Sequence, residues 1–186
     1  MKKSILTIAI ALFVGASSLF AQDTKLVNKN GHISFYSHTA IEDIQANNYK
    51  VVSTIDMTSG AVVFSVPMQS YEFEKAAMQK HYNSPKFLDT KTYPKSKFKG
   101  KITDVSAVNF SKDGTYSVTI KGDMNMHGVT KSITEKATIR VKGGKVTLDS
   151  KMKITLADYK IAFEGGKPST NIAKTIDVTV KTAYMK

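Results

Sequence analysis

The chain has no cysteine, no tryptophan, only four prolines and, among 27 basic residues, a single arginine, Arg140. Without cysteine there is no disulfide framework, no thiolate nucleophile, no zinc finger and no N-terminal cysteine to carry a lipid. Stability has to come from packing. So few prolines, with 41% hydrophobic and 23% charged residues in a 186-residue chain, exclude a long disordered tract and fit one globular domain. The shortage of arginine and tryptophan argues against nucleic acid, because guanine and phosphate readout favours the bidentate guanidinium and base stacking favours large aromatics. The formal charge of +12 is therefore lysine charge. Lysines alternate with apolar residues, as at Lys151 and Lys153, which is the pattern of a solvated strand face guarded against edge pairing.

The one long apolar run stands at the N-terminus. Lys2 and Lys3 precede an uncharged stretch over residues 4–20, and Ala21, Gln22 and Asp23 follow. This order, with small Ala21 before the expected cut, reads as a secretory signal peptide over residues 1–21. The alternative is an uncleaved anchor, for which the run is at the lower limit of a membrane span. Cleavage removes two lysines and no acid, so the mature chain, residues 22–186, carries +10 instead of +12. Such a product is expected in the periplasm or outside the cell, without stable membrane insertion.

Beyond residue 21 the dominant period is two. Over residues 116–126, Tyr116, Val118, Ile120, Gly122, Met124 and Met126 fall on one face, with Ser117, Thr119, Lys121, Asp123 and Asn125 opposite. The alternation recurs at Ala137, Ile139 and Val141, through residues 146–156, and at Ile176, Val178 and Val180. Further strands are expected at 33–37, 49–57, 61–66 and 98–110, making about eight. Ser59-Gly60, Lys112-Asp113-Gly114, Gly143-Gly144 and residues 164–168 supply hairpin punctuation. One helix is expected over residues 71–82, with Ser70 as N-cap. The fold class is thus all-β, an antiparallel eight-stranded barrel with one short helix, since closure removes exposed edges. A two-sheet sandwich is the alternative.

No local signature of catalysis appears. His32 and His38 are six residues apart, about 20 Å along a strand, too far to share an ion. There is no Gly-x-Ser-x-Gly elbow, and the Gly-Gly-Lys triplets at 143–145 and 165–167 lack the strand and helix that aim amides at a phosphate. Neither a metal nor another cofactor is expected, and no residue is assigned a catalytic role.

Two segments rise above pattern. In one, Phe87 and Asp89 precede Tyr93-Pro94 and then Phe98 on a strand; in the other, Gly122, Met124 and His127-Gly128-Val129-Thr130-Lys131 run in sequence. Together with the signal peptide and strand order, these resemble the YceI-like family of exported, lipocalin-like barrels, over most of residues 28–184. Two features depart from the family's pattern: its early tryptophan is missing, and its Gly-Phe strand is replaced by the polar residues 42–48. The resemblance implies a barrel that binds an isoprenoid or fatty-acid-like lipid.

On the residues themselves, proline holds Tyr93 extended at the entry to the next strand, and His127-Gly128 is expected to turn the chain. A chain of 165 residues buries about 70% of its unfolded surface and can keep an apolar hollow. Its lining is expected from Phe64, Val66, Phe73, Met78, Phe87, Phe98, Met124, Met126, Ile139, Met152 and Ile154, with Tyr93 at the rim. Unbranched thioethers such as Met124, Met126 and Met152 suit a flexible apolar tail. The leading expectation is a non-catalytic binding protein for an elongated apolar molecule. The alternative is a filled barrel acting through its surface loops, as an adaptor or a small exported enzyme.

Overall fold

A computed structural model describes residues 24–161, 163–164, 167–168 and 171–185. The signal-peptide expectation lies outside these residues, as does Gly165-Gly166. Among the described residues, eleven strands and one α-helix follow in chain order: β1 (Lys25–His38), β2 (Asp43–Asp56), β3 (Ala61–Pro67), β4 (Glu72–Phe73), α1 (Ala76–Asn83), β5 (Lys95–Ile102), β6 (Gly114–Met126), β7 (Val129–Lys142), β8 (Lys145–Thr155), β9 (Phe163–Glu164), β10 (Lys167–Pro168) and β11 (Thr175–Met185). Eight of them form a closed antiparallel barrel in the order β1, β11, β8, β7, β6, β5, β3, β2, and back to β1. The expected barrel is present.

Alternation builds it. Along β6, Val118, Ile120, Met124 and Met126 are buried while Ser117, Lys121 and Asp123 are exposed. Each strand therefore has one dry and one wet face, and closing the ring turns every dry face inward. In β2 the pattern breaks: Asn48 and Val51 are both buried and Tyr49 and Lys50 both face out. The register against β1 shifts at this point, with Ile33 opposite Asn48 and Gly31 opposite Val51. The extra residue is a β-bulge, which resets the inward parity halfway along the strand.

Several expected boundaries move: β1 and β2 begin at Lys25 and Asp43, well before the expected residues 33 and 49. The strand expected over 98–110 stops at Ile102, and residues 105–107 make a 3₁₀ turn instead. Ser106 donates to Asp104 at 2.6 Å, a local bond that favours a turn over a ladder. Val108 and Phe110 are buried, so this eleven-residue connection replaces the tight hairpin expected at Lys112-Asp113-Gly114. The helix begins at Ala76, not Tyr71, and Ser70 does not cap it. Glu72 and Phe73 instead pair with Asn47 and Ala46 of β2, satisfying backbone groups there while the Tyr71 ring is buried. Strand β7 starts at Val129, well before Ala137.

The two ends of the barrel differ. At one lie the termini of the described chain, the turns after β2 and β7, and the 103–113 connection. At the other lie the turns after β1 and β6, α1, and the β8–β11 connection. Ile55, Val62, Ile102, Ile139, Val141, Val146 and Tyr184 fill the first end, each at most 3% exposed. The Tyr184 hydroxyl donates to Ser53 at 2.8 Å and receives the Thr182 hydroxyl at 3.1 Å, so the polar atoms in this plug are paired.

A cavity in the upper barrel and what covers it

Between β3 and β5 the chain makes a long excursion over the second end, and its geometry explains how the cap is held. The Met68 amide donates to the Pro94 carbonyl at 2.9 Å, bringing the two ends of the excursion together. Asn48, fully buried, donates through its side-chain amide to the Pro67 carbonyl at 2.8 Å. Gln69 donates to the Thr90 carbonyl at 3.3 Å, and the Thr90 hydroxyl to the Asn83 amide oxygen at 2.7 Å. Asp89, at φ 40°, takes the left-handed turn that sends its own amide back to the Ser84 carbonyl at 2.9 Å.

Tyr82, the last buried residue of α1, is the hub of the cap. Its ring lies 5.0 Å from Phe73, 5.6 Å from Tyr71, 6.0 Å from Phe35 and 6.4 Å from Phe87. Offset and tilted pairs at such separations each add about 0.5–1.5 kcal/mol beyond area burial. Burial pushes the phenols of Tyr71 and Tyr82 well above the usual tyrosine range, so both stay neutral.

Beneath this cap lies a cavity of about 440 Å³, within the range of small-molecule sites. Its floor is Ile33, Ile120, Leu148 and Val180; its upper wall includes Met124, Met126, Met152, Ile154, Ile172 and Ile176. Ten of the twelve expected lining residues stand in its wall: Phe64, Val66, Phe73, Met78, Phe87, Phe98, Met124, Met126, Met152 and Ile154. Ile139 and Tyr93 do not. Ile139 pairs with Tyr116 and Leu148 at the filled end and is fully buried there. Tyr93 packs edge-on against His127, ring centres 4.6 Å apart, and its side chain is taken up by that contact.

The second motif explains this contact. His127 and Gly128 adopt φ of 50° and 76° in the two-residue turn between β6 and β7, the geometry that suits strand twist. The His127 Nδ1–H donates to the Tyr159 carbonyl at 3.0 Å. A Cβ on residue 128 would stand 2.8 Å from the Tyr93 ring. The two sequence motifs are thus a strut joining the cap's return to the β6–β7 turn. Gly143→Ala, at φ 55° with nothing within 4 Å of the new Cβ, should cost about 1–2 kcal/mol of backbone strain alone. Gly128→Ala adds the collision with Tyr93 and should cost about 1 kcal/mol more; urea midpoints of the two variants give the comparison.

The other histidines stand elsewhere: His32 stacks on Tyr49 on the outer surface, His38 pairs with Asp43 at 2.5 Å, and His81 lies against Phe87 at the cavity. Sequence reasoning missed Phe35, Tyr71, Tyr82 and Glu135 as wall residues. Phe35 and Glu135 carried a usable signal, since the parity of Ile33 on β1 and of Ala137 on β7 extends to them. Tyr71 and Tyr82 carried none, because their place depends on how the excursion folds back.

The YceI-like domain model matches residues 25–184, and the chain belongs to that family. Protein YceI of Escherichia coli O157:H7 is 27% identical over 96% of this chain and 97% of its own length. Among solved structures, a polyisoprenoid binding domain from Saccharophagus degradans superposes with a TM-score of 0.72 at 13% identity, covering 87% of this chain and 98% of that one. BcnA of Burkholderia cenocepacia gives 0.68 at 14% identity, covering 82% and 95%. At such identities the solved structures establish a shared fold.

Proposed function

We propose that this member of the YceI-like family is an exported, non-catalytic carrier of an elongated apolar molecule of the isoprenoid or fatty-acid-like kind. The observation that carries the reading is the capped cavity, whose wall is built from methionine, isoleucine and aromatic side chains. Dispersion and exclusion of water hold a ligand in such a space, and thioether side chains adapt to a tail of variable shape. The description of the Saccharophagus degradans relative as polyisoprenoid binding supports the same class. Export rests on Lys2, Lys3 and the apolar run after them.

Mass spectrometry of an organic extract of the purified protein is expected to show a recurrent long-chain species. Protein refolded after extraction should take up one equivalent of an apolar fluorescent probe. An empty extract together with no saturable uptake would overturn the carrier reading and favour action through the surface loops.

A further inference from the structure

Resting on the carrier reading, we propose that Glu135 is the polar anchor of the cavity. It selects apolar molecules whose polar end donates hydrogen bonds, an ammonium or a hydroxyl, over those that end in a carboxylate or phosphate. Glu135 stands on the inward face of β7, between Ile133 and Ala137 and directly across from Ile120 of β6. Ile120, Ile133 and Glu135 all line the cavity. Glu135 is partly buried in this apolar wall, and among the described residues none is bonded or ion-paired to its carboxylate. Partial burial raises its pKa from the ordinary glutamate value, so the surroundings penalise a charge that has no partner.

A second polar group in the wall also lacks a partner, although its hydroxyl can either donate or accept, so the choice of head rests on Glu135. Tyr82 is 5% exposed and lines the cavity, and its hydroxyl is buried without a hydrogen-bond partner. A buried polar atom left unpaired costs free energy that a ligand bearing a matching group would recover. No lysine or arginine is among the described lining residues, and the other acid there, Glu42, has Lys75 at 3.9 Å. A ligand carboxylate inside would face Glu135 with like charge, and among the described lining residues only His81 could carry a positive charge to meet it.

The test is displacement of N-phenylnaphthylamine from the intact protein by dodecylamine, dodecanol and dodecanoate, at neutral pH, high salt and concentrations below micelle formation. The three share one chain, so they differ only at the head. The expected order runs against the protein's net charge of +12, which by itself would favour the anion. Dodecylamine and dodecanol should displace the probe at about tenfold lower concentration than dodecanoate, the smaller end of what a hydrogen bond to a charged group contributes. In Glu135→Gln, and in Glu135→Met should the first variant fold poorly, the gap between amine and carboxylate should close. Equal displacement by all three, or a gap unchanged in the variants, would overturn the anchor while leaving the carrier reading intact. Absence of probe uptake by the unmodified protein would overturn both.

Discussion

Met124→Lys is expected to leave a folded barrel that no longer takes up an apolar probe. Met124 stands near the end of β6, 8% exposed, opposite Phe98 of β5, and both side chains line the cavity. A lysine there must either bury an ammonium in an apolar wall or bring water in with it, and both outcomes remove the dry volume that an apolar molecule would occupy. Binding should weaken by about tenfold or more, since an uncompensated polar group costs several kcal/mol in such surroundings. Ser117→Lys on the same strand points to solvent and adds the same charge, so its uptake should match the unmodified protein. Far-UV circular dichroism and the urea midpoint check that both variants fold. Near-normal uptake by folded Met124→Lys would exclude this cavity as the binding volume.

The strands were legible because burial imposes period two, and period two survives in the residue types. On β6 the sequence placed every inward and outward side chain on the correct face. What alternation cannot carry is depth along the barrel axis. Met124 and Ile139 look alike in sequence, each an apolar residue on an inward parity within a strand. One borders the cavity and the other sits in the plug, because the distinction depends on which strands cross at that level and on what caps each end. The cap itself was illegible for a related reason. Residues 71–75 have helical composition, yet pairing of Phe73 with Ala46 and burial of the Tyr71 ring outweigh a propensity difference of a few tenths of a kcal/mol per residue.

The same limit explains Tyr93 and Glu135. Proline after Tyr93 implied an extended entry into β5, whereas Tyr93 stands in a bend whose amide donates to the Asp89 carbonyl at 2.8 Å, and the direction of its ring is set by Gly128 and His127, which lie more than thirty residues away in the chain. Glu135 was missed because a polar residue interrupts the apolar alternation and makes β7 read as beginning at Ala137. An acid on an inward parity is a costly choice for packing alone, which is why its position in the cavity wall carries functional weight.

Ile139→Ala and Met124→Ala should separate the filled end from the hollow one by their effect on stability. Ile139 is fully buried, with Tyr116 and Leu148 as its cross-strand neighbours. Truncating it removes apolar atoms from water-free packing and leaves a void that a closed barrel cannot collapse, so the expected cost is about 3–5 kcal/mol. Met124 faces a space of about 440 Å³, so part of its side chain packs against nothing in the unliganded protein. Its truncation loses fewer contacts and enlarges a hollow that already exists; the expected cost is below about 2 kcal/mol. Urea titrations of both variants, on protein freed of any co-purified molecule, give the two values. Equal costs near the upper figure would mean that the upper barrel is packed as tightly as the lower, and the carrier reading would lose its physical basis. A bound apolar molecule should raise the cost of Met124→Ala and leave that of Ile139→Ala unchanged, because only the first side chain gains contacts when the cavity fills.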